Sequence, residues 1–359
     1  MKDRDLSTMI LVQHQRLERF VGLVFQRLGL PEPDAMTAAN VLVMADLRGV
    51  DSHGVIRLSL HKWYVKALCD GIINPKPRIQ IMNETPASAL IEGDGGMGMV
   101  VGRQAAELAI EKARRVGVGV VAVRNSRHFG MSAYYAMLAL PHEMIGISMT
   151  NAGRQVVPTF GQEAKYGTNP ICLAAPTLEE IPFVLDMATT TAAAGKLEVA
   201  ARAAHPIPLG WALDDKSEPT TDPLAAQRAR KLLPLGGTRD GGSHKGYGLA
   251  VMVEILCGVL TGTLACTTPP ETGVRGHFFG AINIVAFRPV EEFKRELDNL
   301  LRYLKSTPPE KGQNRVYVAG EIEHETTQER SVKGIPLHAS TITRLRELSE
   351  QLNVPYDLE

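Results

Sequence analysis

Apolar residues recur at three- and four-residue spacing through Leu17, Phe20, Val21, Val24, Phe25 and Leu28, which predicts an amphipathic helix stopped by Gly29. An alanine-rich run containing Leu42, Val43 and Met44 predicts a second helix over about 33–47. Arg48-Gly49-Val50 interrupts the pattern, and Asp51 or Ser52 can cap a third helix running to about Leu68. Residues 1–75 therefore read as all-α. From about residue 76 the texture changes. Short β-rich runs, ASALIEG (87–93), GVGVVAV (117–123) and MIGISMT (144–150), alternate with helical stretches such as MVVGRQAAELAIEKARR, which is α/β grammar.

Residues 151–223 are dense in Pro, Gly, Thr and Asn, the composition of ligand-contacting loops. A long apolar run, GYGLAVMVEILCGVLTGTLA (246–265), reaches the length of a membrane span. Glu254, four glycines and the lack of basic or aromatic flanks predict a buried core helix instead. The tail is helical again, with amphipathic spacing in PVEEFKRELDNLLRYLKS and TITRLRELSEQL. Those helices are expected to pack on the N-terminal ones, so that 1–75 and 290–359 form one discontinuous helical domain around an α/β domain at 76–289.

The 359 residues, 44% hydrophobic and 22% charged, are those of a soluble globular chain of about two domains. Lysine plus arginine equals aspartate plus glutamate, 39 each, so the basic surplus of a nucleic-acid binder is missing. Cys69, Cys172, Cys257 and Cys266 form no Cys-x-x-Cys pair, and the first twenty residues lack a secretory apolar segment. A reducing, cytoplasmic setting is expected. Ten histidines include no His-Glu-x-x-His or zinc-type spacing, so no metal is expected.

Gly93-Asp94-Gly95-Gly96-Met97-Gly98 satisfies G-x-G-x-x-G between a predicted strand and a predicted helix. A dinucleotide fingerprint also needs an acid at the end of the next strand, and here that strand ends in Arg124-Asn125. A tight strand-to-helix turn is the simpler reading.

Four segments could carry chemistry. In Arg48-Gly-Val-Asp-Ser52-His53-Gly-Val-Ile-Arg57, a helix beginning at Asp51 or Ser52 would set His53 and Arg57 one turn apart on one face. Such a pair suits a 2-oxo or 2-hydroxy acid: arginine grips the carboxylate while histidine exchanges a proton with the adjacent oxygen. A histidine at a helix N-terminus would want a carboxylate partner from elsewhere; a surface histidine beside a solvated arginine is the alternative. His128, in Ser126-Arg127-His128-Phe129-Gly130, follows a predicted strand, where α/β folds place reactive groups, or is a loop histidine bonded to backbone. Asp186 ends the apolar run FVLD and needs a histidine or free N–H groups as partner. GGTRDGGSHKGYG (236–248) leads straight into a helix, whose N–H groups with Lys245 would receive a phosphate, or it is a plain connector.

Taken together, DSHGVIR, NSRHFG, GTNPICLAAP, FVLDMATT with AAGK, PLGWALD with PTTDP, LLPLGG, HKGYGLA and GHFFGA, in that order, resemble the malate/L-lactate dehydrogenase-like (type 2) oxidoreductases over nearly the whole chain. That family includes ureidoglycolate, sulfolactate and diketogulonate members and a cyclic imino-acid reductase. The resemblance implies a homodimer with a mixed-sheet, non-Rossmann NAD(P)-binding domain and NADH or NADPH as cofactor. It implies His53 as proton donor oriented by Asp186, with His128 as a second acid or base, and Arg48, Ser52 and Arg57 at the substrate. Asp186, Met187, Ala188, Lys245, Gly246, Gly320 and Glu321 would meet the dinucleotide. The chain departs from the family pattern at Ala319, where a proline is usual, at Ser243, which appears inserted, and at the loop Asn151–Arg154. The expected activity is hydride transfer between nicotinamide and a small 2-hydroxy/2-oxo acid. Reduction of a cyclic C=N bond and nucleotide binding without catalysis are the alternatives.

Overall fold

The structure, a computed structural model, describes residues 9–59, 64–202, 204–269 and 272–359. The chain opens with β1 (Met9–Val12), α1 (His14–Arg27) and α2 (Glu32–Leu47), then a 3-10 turn at Asp51–His53, α3 (Ile56–Ser59) and α4 (Tyr64–Cys69). The α/β part follows as β2 (Gln80–Glu84), β3 (Ser88–Glu92), α5 (Gly98–Val116), β4 (Val118–Ser126), α6 (Ala133–Met137), β5 (Met144–Thr150), β6 (Ile171–Ala175) and β7 (Phe183–Met187). After these come α7 (Ala194–Arg202), β8 (Ala212–Leu213), α8 (Pro223–Ala229), β9 (Lys231–Leu232), α9 (Ser243–Val253) and β10 (Arg275–Asn283). The chain closes with α10 (Val290–Lys305), α11 (Glu321–Lys333), β11 (Ile335–His338) and α12 (Ala339–Leu352).

The helix boundaries follow local chemistry. Gly29 ends α1 in a left-handed conformation (φ 98°), and Pro31 and the acids Glu32 and Asp34 open α2, complementing its dipole. The third helix predicted from residue 51 is instead broken: the 3-10 turn stops at Gly54, and α3 begins at Ile56. Residues 60–63, which that prediction also crossed, lie outside the described part.

A seven-stranded sheet in the order β2-β3-β4-β10-β5-β6-β7 organises the α/β part. Among the described strands only β3 and β4 run parallel; the other pairings in this sheet are antiparallel. A Rossmann sheet is built from parallel strands with crossover helices, so this is a mixed-sheet α/β fold of another kind. The G-x-G-x-x-G stretch is the turn from β3 into α5. Asp94 and Gly95 take positive φ (51° and 65°), and a Cβ on Gly98 would lie 2.0 Å from the carbonyl oxygen of Arg127. The glycines thus let the start of α5 press against the backbone at His128.

One continuous apolar cluster joins α1, α2 and α12 to β3, α5, β4 and the aromatic group Phe129, Tyr135 and Phe279. In the tail, α11 lies on α2, and α12 on α1 and α3, while β11 pairs with β1. The third tail helix, α10, is fastened beside the sheet, where the buried Asp298 carboxylate accepts the N–H groups of Leu178, Glu179 and Glu180 in the β6–β7 turn.

The apolar run 246–265 departs from expectation. Its helix α9 passes into a π-helical turn at Glu254–Val259, and no described helix is long and apolar enough to cross a membrane. Nor is it a buried core helix: Leu249, Val251, Met252, Ile255, Val259 and Leu260 are exposed, while Ala250, Val253 and Cys257 face inward. Alternate faces are apolar because one meets the core and the other is left open.

Candidate active site

The turn carrying His53 is held from beneath by Asp46 of α2. The Asp46 Oδ2 accepts the N–H of Val55 (2.8 Å), and a Cβ on residue 54 would lie 1.8 Å from Oδ1, so only glycine fits there. Arg330 of α11 bonds both the Asp46 carbonyl and the Asp51 carboxylate, tying the turn to the C-terminal helices. This clamp breaks the helix that periodicity predicts. His53 and Arg57 come together by another route: Arg57 Nε donates to the Ser52 carbonyl (2.5 Å), and Ser52 Oγ pairs with His53 Nδ1 (3.0 Å). The surface-histidine alternative fails, because both side chains are half-buried.

The β4–α6 loop brings His128 to the same place. Its ring stacks on that of His53 with centroids 5.7 Å apart and planes 13° from parallel. Tyr64 Oη lies 2.6 Å from His128 Nδ1, and the N–H of Gly130 donates to the same nitrogen (3.2 Å). Burial pushes the Tyr64 phenol up, so the hydroxyl stays protonated and donates. Two donors on Nδ1 place the proton of neutral His128 on Nε2. Burial, helped by the Arg57 charge, lowers His53 to about 4. Burial and the charges of His53 and Arg57 hold His128 well below the usual imidazole range. Both rings are neutral at pH 7.

Asp186, next to last in β7, has an exposed side chain. Protein packed around it nevertheless raises its pKa to about 6, opposed by the Ala133 N–H that donates to Oδ2 (2.7 Å) and by the Arg48 charge. Accessibility together with desolvation describes a carboxylate in a recess. The expectation that Asp186 orients His53 is corrected here: Asp186 faces Ala133 and Arg48, and the Ser52 hydroxyl is what meets the imidazole Nδ1. Arg48 is buried, and its Nε has no hydrogen-bond partner among the described residues. Desolvation lowers the Arg48 pKa, while the charges of Glu323 in α11 and Asp186 raise it.

The residues expected at the dinucleotide fall at the end of β7, at the start of α9 and in the turn before α11. Met187 and Ala188 continue from Asp186, half-buried. Gly320 (φ 97°) lets the turn before α11 close on β7, where the Val184 N–H donates to the Ala319 carbonyl (3.1 Å). A Cβ on Gly320 would approach Val184 to 3.0 Å. The carboxylate of Glu321 is committed within the protein, one oxygen to Lys305 Nζ (2.9 Å) and the other to the Val318 N–H (3.0 Å). Gly246 packs where a Cβ would meet the Leu235 backbone at 2.5 Å, fixing the start of α9. That start has Gly242 at its N-cap with no side-chain cap, and Lys245 is exposed in its first turn. The Ser243 N–H donates to the Thr238 carbonyl (3.0 Å) and the Lys245 N–H to the Gly242 carbonyl (2.9 Å), so the exposed Lys245 ammonium is what this end offers a diphosphate. An adjoining recess of about 420 Å³ is lined by Thr191, Trp211, Gly236, Gly237 and Thr238. An exposed ammonium beside glycine-lined backbone is chemistry that fits a dinucleotide.

Pattern reading missed Tyr64, Asp46 and Glu323. Asp46 left a trace, an acid between Ala45 and Leu47 in the apolar second half of α2. Tyr64 and Glu323 left none, since nothing local ties either to a residue far along the chain.

The family model for malate/L-lactate dehydrogenase matches residues 12–346. A malate dehydrogenase of Pyrococcus abyssi is 45% identical over 96% of both chains. An L-sulfolactate dehydrogenase of Methanocaldococcus jannaschii is 43% identical over 96% of this chain and 98% of its own. The solved malate dehydrogenase of Pyrococcus horikoshii OT3 superposes with a TM-score of 0.89 at 41% identity, covering 97% of each chain. The chain belongs to the malate/L-lactate dehydrogenase family, oxidoreductases that act on the CH–OH group of hydroxy acids with a nicotinamide cofactor.

Proposed function

We propose that this protein interconverts a small 2-hydroxy acid and its 2-oxo acid with His53 as the acid–base residue, and that it takes NAD or NADP. The observation that carries the reading is the meeting of His53, His128 and Arg57 in one buried cluster. When bound, the dinucleotide supplies a two-electron hydride carrier at nicotinamide C4. In oxidation, the substrate hydroxyl proton passes to His53 Nε2 as the C2 hydrogen leaves with its electron pair, and the C=O bond forms. Ser52 Oγ, able to donate or accept, supports Nδ1 in either protonation state. His128, kept as an Nε2–H donor by Tyr64 and Gly130, polarises the same oxygen. Arg57 and Arg48 hold the C1 carboxylate, a role for which a guanidinium fork is suited.

Met187, Ala188, Gly246 and Gly320 supply close backbone approach to the dinucleotide, with Lys245 at its diphosphate. Glu321 acts through Lys305 and the Val318 N–H to shape that turn. Segments 1–75 and 290–359 are read as the helical domain around 76–289. The open apolar face of α9 and its π-turn is read as the contact of a homodimer, and the location as cytoplasmic, with neither nucleic acid nor membrane as partner.

The test follows reduced nicotinamide by absorbance while 2-oxo acids are offered to the wild type and to His53→Ala. Turnover should collapse on the order of 10² to 10⁴ in the variant with dinucleotide binding retained. Turnover only of cyclic imino acids would make the protein a C=N reductase. Nucleotide binding with no turnover on any substrate would make it a non-catalytic binder.

A further inference from the structure

We infer that Lys305, the last residue of α10, is a positioning residue for the dinucleotide: its ammonium holds the turn before α11 against β7 and thereby sets cofactor affinity. The inference deepens the proposed function and rests on it, since that reading puts the dinucleotide at Asp186–Ala188 and at Gly320. The strand β7 lies at an edge of the sheet, paired with β6 alone. Its open edge meets the turn, where the Val184 N–H donates to the Ala319 carbonyl (3.1 Å), and Asp186 follows in the same strand. In the turn, the Glu321 N–H donates to the Val318 carbonyl (3.2 Å), and Gly320 takes φ 97° and ψ −16°, the geometry of a type II turn. A proline ring at the second position of such a turn pre-sets its φ. This chain has Ala319 there, so the turn lacks that restraint and needs another.

The restraint comes from α10. Glu321 is 3% exposed; one of its carboxylate oxygens accepts from Lys305 Nζ (2.9 Å) and the other from the Val318 N–H (3.0 Å). The same ammonium bonds Glu180, in the turn that leads into β7. Arg302 takes the other Glu180 oxygen (2.9 Å), and Asp298 caps the N–H groups of that turn, so α10 grips it at three points. Arg315, whose charge also reaches Glu321, is bonded to Glu325. Among the described residues Lys305 is therefore the cation that makes an ion pair with Glu321. A carboxylate this deeply buried is costly without its cation. Once Lys305 is neutralised, Glu321 moves toward water and carries the Val318 bond and the turn with it. One ammonium thus links the turn entering β7 to the turn lying on it, and fixes both from a helix that supplies no residue expected at the cofactor.

The test titrates the full-length protein with NADH and with NADPH, read by nicotinamide fluorescence, and follows melting temperature and the KM for pyruvate and oxaloacetate. In Lys305→Met the dissociation constant of the dinucleotide that the wild type binds should rise about 3- to 30-fold, the range for residues that touch neither ligand. The KM for the 2-oxo acid at saturating dinucleotide should stay at the wild-type value. Ala319→Pro added to Lys305→Met should recover part of the lost affinity, because the Ala319 N–H bonds nothing among the described residues and the ring restores the restraint. Lys305→Gln, which keeps a donor without the charge, should give a smaller rise and serves if the methionine variant does not fold. A lowered melting temperature with an unchanged dissociation constant makes Lys305 merely structural and overturns the inference. A rise that Ala319→Pro leaves untouched overturns the route through the turn. A wild type that binds neither dinucleotide overturns the proposed cofactor reading, and the inference with it.

Discussion

The imidazoles of His53 and His128 lie face to face, 5.7 Å between centroids and 13° from parallel, although one follows α2 and the other follows β4. Two neutral histidines this close divide the work by environment. His128 has its Nδ1 filled by Tyr64 and Gly130, whereas His53 has only the two-way Ser52 hydroxyl at its Nδ1. The ring with the adaptable partner is the one able to change protonation state.

That assignment fixes a pH dependence. With His53 at about 4, its protonated fraction falls tenfold for each pH unit above that value. The kcat/KM for 2-oxo acid reduction, which needs the proton, should therefore decline about tenfold per unit between roughly pH 5.5 and 8. Oxidation, which needs the neutral ring, should lack that decline. Parallel slopes in the two directions would remove His53 from the role.

Tyr64→Phe removes the stronger of the two donors on His128 Nδ1. Loss of about 1 kcal/mol of hydrogen bonding should lower kcat by several-fold to about tenfold and free the ring to take either tautomer. Steady-state kinetics with a nitrogen-15 NMR measurement of the His128 tautomer checks this. A ring still protonated only on Nε2 would show that Gly130 alone suffices.

Gly54→Ala places a methyl 1.8 Å from the Asp46 carboxylate, which is buried. Either the carboxylate or the His53 turn must move, at about 1–3 kcal/mol in stability. Urea melts should show the loss, and kcat should fall with it because His53 rides on the displaced turn. Asp46→Ala in the same background should restore part of the stability by removing the clash.

His277 is fully buried, and burial with the Arg275 charge lowers it to about 3. Below pH 6.5 the unfolded chain protonates this histidine and the folded protein does not, so its contribution falls as pH falls. Relative to His277→Gln, the wild type should lose about 2 kcal/mol of unfolding free energy between pH 7 and 5. Denaturant titrations of both proteins at the two pH values measure the difference. A constant gap would mean that the ring titrates in the fold as it does in the unfolded chain.

The amino-acid order alone settled whatever depends on neighbours a few residues apart. The spacing of Leu17 to Leu28 gave α1, Gly29 its end, and MIGISMT a strand that forms as β5 over the same residues. Local motifs marked His53, His128 and Asp186 as places where chemistry could occur. Tertiary contacts decided how those places relate. Asp46 and Arg330, distant along the chain from each other, broke the helix expected to carry His53 and Arg57, yet the Ser52 carbonyl reunited them. Asp186 turned to Arg48 instead of His53, and the apolar stretch after Lys245 exposed one face instead of burying both. Periodicity records which face of an element is apolar. What covers that face, and which charge a buried group meets, depends on segments brought together only when the whole chain packs.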